Sequence, residues 1–384
     1  MKIKIKGFIT SKKSELYSDC ADNYAVNTEH HKFSISDGVS KSFFPKIWSD
    51  ILVNKYVNQK DWKDNNEFIV ESQKEWQSKI DEIVNQSETK WFTKSQYNRK
   101  DPALATFVGL QFLESEQKWI AQALGDSFLF FIPKDSNKIE IQLSSKAEPV
   151  VFDNFPDYFS SISIHPQKGK VKIKERPMVE GTFYLMTDAL AEWFLQNREQ
   201  AKQILDNIKT QEQYLETIKN ERNTNRLNDD DSAVLIIDIS DDNKKEFTYS
   251  EPNEVVYLSD LIKKETEEIE ESKKKETSLS ESSSNSNTEE NKSEQEEPSK
   301  DDNPVNETTE EIVEQSTEIV KSDDTISETN NDEETKSNET ENLKEESTDN
   351  SSNISDEKQE EKLPEQTPNE TPDNPKTKSI FDKF

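Results

Sequence analysis

Four aspartates of this 384-residue chain stand in positions where carboxylates can do metal chemistry. Three of them, Asp37, Asp188 and Asp230, lie at the ends of short apolar segments that read as β-strands, so their carboxylates can point into a cleft at the edge of a sheet. Carboxylates that meet in such a cleft repel one another, and the cluster persists only when cations neutralise it. Oxygen ligands select hard ions, so the pattern predicts a magnesium or manganese site. The four residues are Asp22, Asp37, Asp188 and Asp230.

Two hard ions about 3.5–4 Å apart lower the pKa of a water between them and clamp the oxygens of a phosphoryl group. The aspartates therefore indicate hydrolysis of a phosphate ester. Taken singly, each has a simpler interpretation. Asp37-Gly38 fits a turn, Asp188 fits a helix N-cap, and Asp230 fits a solvated loop.

The elements that would position these residues can be read from apolar periodicity. Strands outnumber helices and follow one another in runs, which favours an α+β fold with antiparallel sheets over a βαβ repeat. The predicted strands are 2–10, 31–37, 103–112, 118–124, 127–133, 138–143, 182–187, 233–239 and 246–250. The predicted helices are 44–57, 65–86, 189–206 and 210–221, with a transient helix at 257–271.

Charge divides the chain into two parts. The formal net charge is −31, and residues 251–384 hold 41 acidic and 15 basic side chains against 39 and 34 in residues 1–250. The second part has few large apolar groups, so it cannot offset an ordering cost of about 1–2 kcal/mol per residue. We predict a catalytic domain over 1–250 and a disordered acidic tail over 251–384. Its last residues, 376–384, read as a short docking motif or as an incidental chain end.

Several short motifs along the first 240 residues resemble the protein phosphatase 2C family of metal-dependent serine/threonine phosphatases, in its bacterial form. They occur in the family's order, and each falls on the expected element. The motifs are Ala21-Asp22-Asn23-Tyr24, Ile35-Ser36-Asp37-Gly38, Leu124-Gly125-Asp126-Ser127, Met186-Thr187-Asp188-Ala189-Leu190 and Asp230-Asp231-Ser232-Ala233-Val234, together with the strand Ala103–Leu110.

The resemblance implies a four-layer α-β-β-α sandwich of two antiparallel sheets flanked by helices. It implies that Asp37 bridges two manganese or magnesium ions, that the Gly38 carbonyl binds one, and that Asp188 and Asp230 hold the other. These three aspartates would be the catalytic residues, acting through a water that bridges the ions. Asp22 would hold metal-bound water, and a third ion is allowed.

Two more residues have roles implied by the same resemblance. Glu192, four residues after Asp188, would ligate the third ion, and Asp126 would be structural. The expected substrates are phosphoserine and phosphothreonine in proteins, with a serine/threonine kinase as natural counterpart.

Three positions depart from the family's pattern. Tyr17 stands where animal members place a phosphate-binding Arg, Val39 where they place a His, and Ala189 where the family has Gly. These departures favour one alternative, a catalytically silent scaffold that tethers a partner through the acidic tail. Another alternative is an acidic adaptor that works mainly through 376–384.

Composition also limits the other functional classes. The acidic balance argues against a basic face for nucleic acid, and no stretch reaches the ~18 apolar residues of a membrane span. The start of the chain reads as a strand and not as a signal peptide, and the lone Cys20 excludes an internal disulfide. The expected location is the cytoplasm.

Overall fold

The structure is a computed structural model that describes residues 1–59, 65–153, 155–241, 243–250 and 254–284. All of them belong to one compact unit, Met1–Glu294. The strands are β1 (Lys2–Thr10), β2 (Asn23–Asn27), β3 (Lys32–Ser36), β4 (Leu104–Ala105), β5 (Phe107–Leu113), β6 (Lys118–Leu124), β7 (Phe128–Pro133), β8 (Ile141–Leu143), β9 (Phe159–Ser160), β10 (Lys172–Pro177), β11 (Gly181–Met186), β12 (Ser232–Ser240), β13 (Thr248–Tyr249) and β14 (Glu254–Val255). The helices are α1 (Pro45–Asn58), α2 (Asn65–Val84), α3 (Trp91–Asn98), α4 (Asp188–Asn207), α5 (Gln211–Asn223) and α6 (Leu258–Ser284).

Two mainly antiparallel sheets form the centre of this unit. The larger sheet has the order β13-β1-β12-β11-β7-β8, with β14 also paired to β1, and the smaller has the order β10-β6-β5-β3-β2. Only β13 and β14 run parallel to their neighbour among the described strands. The strands β4 and β9 form a separate pair.

Three apolar cores separate four layers. The first joins the inner faces of the two sheets, with Ile5 and Leu235 from one and Phe33 and Leu110 from the other. The second packs the larger sheet against α4 and α5. The third packs the smaller sheet against α1 and α2. The predicted α+β fold, a four-layer α-β-β-α sandwich, is therefore confirmed.

The strand β12 lies at the middle of the larger sheet and is buried on both faces. Leu235 and Ile237 point into the core between the sheets, whereas Val234 and Ile236 point toward the helices. Successive side chains of a strand alternate between faces, so a strand covered on both sides needs an unbroken apolar sequence. This is why the segment stands out in the sequence.

A lysine of β1 fixes the end of α4 against the larger sheet. The Lys6 ammonium donates hydrogen bonds to the carbonyl oxygens of Leu205, Asp206 and Ile208, at 3.3, 3.0 and 2.9 Å. The last carbonyls of a helix lack partners within the helix and carry its negative dipole end, so a cation stabilises them. The other end of α4 begins at Asp188, which ties the helix to the candidate site.

The packed elements continue past residue 250, where the sequence analysis placed the end of the catalytic domain. Leu258 is 3 % exposed and belongs to the core between the sheets. The Tyr24 hydroxyl donates to the Val256 carbonyl, and the Tyr17 amide donates to Glu265 Oε2 at 2.9 Å. The first turns of α6 therefore belong to the folded unit.

Shortening Leu258 to alanine should destabilise the whole unit. Deleting a buried leucine's methyl groups typically costs about 2–5 kcal/mol, through lost apolar burial and the cavity left behind. We expect the Leu258→Ala midpoint of urea unfolding to fall accordingly. The control is Leu16→Ala, because Leu16 is 45 % exposed and should change stability by less than about 1 kcal/mol. Equal stability of both variants would show that α6 does not belong to the cooperative unit.

Among the described residues, no helix combines the length and the apolar character needed to cross a bilayer. The docking motif predicted at 376–384, and the tail from residue 285 onward, lie outside the described residues.

Candidate metal centre

Three carboxylates meet at one edge of the two sheets. Asp37, Asp126 and Asp188 each offer an oxygen that lies within 4.8 Å of an oxygen of the other two. Asp37 follows β3, Asp126 lies in the turn between β6 and β7, and Asp188 is the first residue of α4. Along the sequence, Asp126 comes 89 residues after Asp37, and Asp188 comes 62 residues after Asp126. The fold therefore collects a cluster of negative charge from three separate elements.

The strand register places two of these residues side by side. In the larger sheet β7 and β11 are antiparallel neighbours, and Phe128 lies opposite Met186. Asp126 comes two residues before the first of this pair, and Asp188 comes two residues after the second. Both carboxylates therefore lie beyond the same end of this strand pair.

Asp37 reaches the same place through Thr106. The Thr106 amide donates to the Asp37 carbonyl at 2.8 Å, and the Asp37 amide donates to Thr106 Oγ1 at 3.2 Å. The Thr106 hydroxyl also shares a hydrogen bond of 2.6 Å with the Ser127 hydroxyl, next to Asp126. Small hydroxyl side chains thus connect the smaller sheet to the turn that carries Asp126.

The chain after Asp37 requires a glycine. A Cβ atom on Gly38 would lie 2.8 Å from the Pro45 carbonyl oxygen and 3.0 Å from the Ala21 carbonyl oxygen. Both are backbone atoms that cannot turn away. The Gly38 amide donates to the Ala21 carbonyl at 3.2 Å. This contact brings the Gly38 peptide, whose carbonyl is a predicted ligand, next to the segment that carries Asp22.

Burial and mutual repulsion raise the carboxylate pKa values. Desolvation raises the pKa of Asp37 well above its ordinary value, and the charge of Asp188 raises it further. Desolvation, followed by the charge of Asp126, raises the pKa of Asp188 to about 7. The pKa of Asp126 is raised by burial to about 6, although Lys146 opposes the shift. Asp22, which is 1 % exposed, has its pKa raised by burial and then by Asp37.

Two buried oxygens of this group lack hydrogen-bond partners. Within the described part of the chain, Asp22 Oδ2 and Asp126 Oδ1 have none. Leaving a buried carboxylate oxygen unpaired is costly, and a divalent cation would satisfy such an oxygen and offset the repulsion. The residues therefore fit hard divalent ions.

One lysine already approaches the cluster. The Lys146 ammonium lies 3.7 Å from Asp126 Oδ2 and 3.0 Å from Asp153 Oδ1. A single ammonium shared with Asp153 leaves most of the cluster's charge without compensation.

Asp230 lies outside the group of three, although the sequence analysis predicted it as a ligand together with Asp37 and Asp188. Its side chain is 44 % exposed, and Oδ1 pairs with the Lys12 ammonium at 3.0 Å. The next residue, Asp231, is buried instead, and its carboxylate accepts from the Ala21 amide at 2.8 Å and the Lys12 amide at 3.0 Å. Asp230 still acts on the cluster, because its charge raises the pKa of both Asp37 and Asp188.

The structure also bears on the predictions for Asp188 and Glu192. Asp188 is the first residue of α4, and Thr187 takes the N-cap position, so Asp188 is not the cap. Glu192, predicted for a third ion, lies one turn further along α4. Its carboxylate accepts from Asn228 Nδ2 at 2.7 Å and from Gln196 Nε2 at 3.1 Å.

Sequence reasoning gave Asp126 a structural role and did not select Lys12 or Lys146. The Gly-Asp-Ser motif was the signal for Asp126, since its aspartate directly precedes an apolar strand, as Asp37 directly follows one. Nothing in the sequence around Lys12 or Lys146 distinguishes these residues from the other lysines of the chain.

No family model matches the chain, and none of the curated proteins compared with it is similar. Among solved structures, the chain is similar to the photosystem II phosphatase PBCP (11 % identity, TM-score 0.43), over 62 % of this chain and 99 % of that one. It is similar to the serine/threonine phosphatase PstP of Mycobacterium tuberculosis (9 %, 0.40), over 62 % and 99 %. It is also similar to PppA of Pseudomonas aeruginosa (10 %, 0.38), over 62 % and 98 %.

Proposed function

We propose that this chain is a metal-dependent protein phosphatase that hydrolyses phosphoserine and phosphothreonine with two manganese or magnesium ions. The observation that carries the proposal is the meeting of Asp37, Asp126 and Asp188 within 4.8 Å, together with the unpartnered buried oxygens of Asp126 and Asp22. Protein phosphate esters as the substrate class come from the sequence motifs.

Two divalent ions bound here would supply a water of lowered pKa and a clamp on the phosphoryl oxygens. The residues of the chain would hold and orient them. Asp37, Asp188 and the Gly38 carbonyl are the proposed ligands, and the geometry adds Asp126 to this set. Asp230 can join only after its ion pair with Lys12 opens. Asp22 would orient solvent from its buried position, and Glu192 belongs to the proposed third site.

The hydrogen-bond network around Thr106 gives the site its rigidity. Because the Asp37 backbone is fixed on both its amide and its carbonyl, its carboxylate is held without the cost of ordering a mobile loop. Preorganised ligands of this kind favour the geometry that an in-line displacement requires.

The test is hydrolysis of p-nitrophenyl phosphate and of a phosphoserine peptide by the full chain. We expect turnover with manganese, loss of turnover with EDTA, and recovery when manganese is returned. The variant Asp188→Asn should retain at most about one thousandth of this activity, because it removes a charged ligand. Wild-type activity that is indifferent to EDTA, or an Asp188→Asn variant of equal activity, would refute the proposal.

The silent-scaffold alternative predicts that manganese does not bind. Calorimetric titration of the EDTA-treated chain separates the two functions, since the phosphatase requires saturable binding. A kinase with the same targets and a cytoplasmic location are further parts of the proposal.

A further inference from the structure

A pocket lies between the end of β1 and the helix α5, and basic side chains border its partly apolar wall. Its volume is about 260 Å³. Among the described residues that line it, four are basic and none is acidic. The basic residues are Lys12, Lys13, Lys219 and Arg222. We call this cavity the Arg222 pocket. Residues 1–250 hold 39 acidic and 34 basic side chains, so four basic residues without an acid depart locally from the composition of this part of the chain.

Arg222 is held in place at the base of this pocket. Its side chain is 10 % exposed. Nη1 donates to the Ser11 carbonyl at 2.9 Å, and Nη2 donates to Ser232 Oγ at 3.2 Å and to the Asp230 carbonyl. Nε has no hydrogen-bond partner in the described part of the chain. A guanidinium fixed by neutral oxygens keeps its full positive charge and needs no reordering to attract an anion.

Two carboxylates lie beside basic residues of this pocket. Asp229 Oδ1 accepts from the Lys13 amide at 2.9 Å and lies 3.7 Å from Arg222 Nε, beyond hydrogen-bonding distance. Asp230 Oδ1 pairs with Lys12. The ammonium groups of Lys13 and Lys219 form no ion pair within the described residues. Lys13 and Lys219 therefore bring positive charge to the pocket that no carboxylate pairs with among the described residues, whereas Asp229 partly offsets the charge of Arg222.

We propose that the Arg222 pocket binds a phosphate-type oxyanion and that this binding favours a divalent cation at Asp230. Tetrahedral oxyanions present several acceptor oxygens, which arginine and lysine donors match with charge-assisted hydrogen bonds. The source of the oxyanion is either free inorganic phosphate, a product of the proposed reaction, or a phosphoryl group of a phosphorylated protein.

Lys12 provides the coupling, because it belongs to the pocket and to the metal centre. Its ammonium binds Asp230 Oδ1 at 3.0 Å and Ser40 Oγ at 2.9 Å. An anion in the pocket draws this ammonium toward itself and frees the Asp230 carboxylate for a cation. By thermodynamic linkage, the cation then strengthens binding of the anion by the same factor. The oxyanion site stands by itself, whereas the coupling rests on the proposed function, since it requires Asp230 to ligate a metal.

The binding test uses the full chain, free of metal, titrated calorimetrically with inorganic phosphate at constant ionic strength. The variant Lys13→Gln/Lys219→Gln changes two exposed side chains and should fold normally. We expect it to bind phosphate at least about tenfold more weakly than wild type, because two charge-assisted contacts are lost. The control Lys2→Gln/Lys74→Gln, which removes the same charge from exposed positions elsewhere, should match wild type. No saturable binding, or equal affinity in all three proteins, overturns the site.

A phosphoserine peptide, titrated in parallel, distinguishes the two sources. Binding that the double variant loses identifies phosphoproteins as a ligand, whereas binding of phosphate alone identifies the free ion. Both outcomes support the site.

The coupling test is a magnesium titration with and without phosphate. We expect phosphate to tighten magnesium binding about threefold or more in wild type and in the control, but not in Lys13→Gln/Lys219→Gln. The same effect in all three proteins overturns the coupling, because phosphate would then act directly at the ions. If magnesium fails to bind any of them while phosphate binds wild type, the coupling and the proposed function fall, and the oxyanion site stands.

Discussion

Replacing Asp37 by asparagine is expected to abolish metal-dependent phosphatase activity and, in the same protein, to raise the stability of the metal-free form. Activity should fall by a factor on the order of a thousand or more, because the neutral amide removes the proposed bridging ligand and the ions' separation is no longer fixed. The amide has nearly the shape of the carboxylate, so the hydrogen bonds of the Asp37 backbone to Thr106 should survive.

The gain in stability follows from the repulsion within the cluster. Desolvation and the charges of Asp188 and Asp126 raise the pKa of Asp37, so ionising it at neutral pH costs free energy in the folded state only. Asparagine carries no charge, so the folded state of the variant is free of this destabilising term. A residue retained despite such a cost is expected where function requires it.

The measurement combines p-nitrophenyl phosphate turnover with thermal melting in EDTA at pH 7.5. Asp135→Asn, which changes an exposed carboxylate, is the matched control and should leave both quantities unchanged. An Asp37→Asn variant that melts below wild type in EDTA would contradict the repulsion argument. A variant that keeps full activity would contradict the ligand role.

The second large effect concerns pH. In the metal-free protein, the pKa of Asp126 is raised to about 6 and that of Asp188 to about 7, from an ordinary value of 3.8. Between pH 3.8 and about pH 7 the folded state binds more protons than the unfolded state. The free energy of unfolding must therefore fall as pH rises through this range. The cluster's contribution is fully present below about pH 4 and is lost once pH exceeds about 7. Each pKa unit corresponds to about 1.4 kcal/mol, so the total is several kcal/mol.

Divalent ions should reverse this dependence. They bind deprotonated carboxylates, so their stabilising effect grows as protons leave. We expect the melting temperature in EDTA to decrease from pH 5.0 to pH 7.5, and the increase caused by manganese to be larger at pH 7.5. Asp37→Asn should flatten both trends, which separates the cluster from other titrating groups. A manganese effect of equal size at both pH values would contradict the assignment of the ions to these aspartates.

Burial explains which elements could be predicted from the sequence. The strand β12 and the helix α4 bury apolar faces, so their periodicity is clear. The helix α3 and the strand β10 were not predicted, because the structure leaves them largely exposed: Trp91 is 80 % and Ile173 58 % exposed. The strand β10 lies at a sheet edge, where lysines protect against further pairing. The strand β10 is held by backbone pairing with β6, which the amino-acid composition does not reveal.

The candidate site shows the same limit at the level of single residues. Asp37 and Asp188 could be selected because each adjoins an apolar strand. The run Asp229-Asp230-Asp231 could not be resolved, because the direction of each side chain depends on the loop's path. In the structure Asp231 is buried and Asp230 turns to Lys12. Asp126 joins the cluster through the pairing of β7 with β11 and the hydrogen bond between Thr106 and Ser127, which no local pattern specifies.

The position of β1 also has a consequence for how the protein is made. This strand is the first to be synthesised, yet its partners are β12, β13 and β14, so Lys2 pairs with Ser240 and Lys6 with Glu254. At translation rates of about 5–20 residues per second, β1 waits roughly 10–50 s for its neighbours. During that time the isoleucines of β1 cannot be buried in the core, because β12, the strand that joins β1 to the rest of the larger sheet, has not been synthesised. We therefore expect folding to be completed late and slowly, with a nascent chain that depends on chaperones to avoid aggregation.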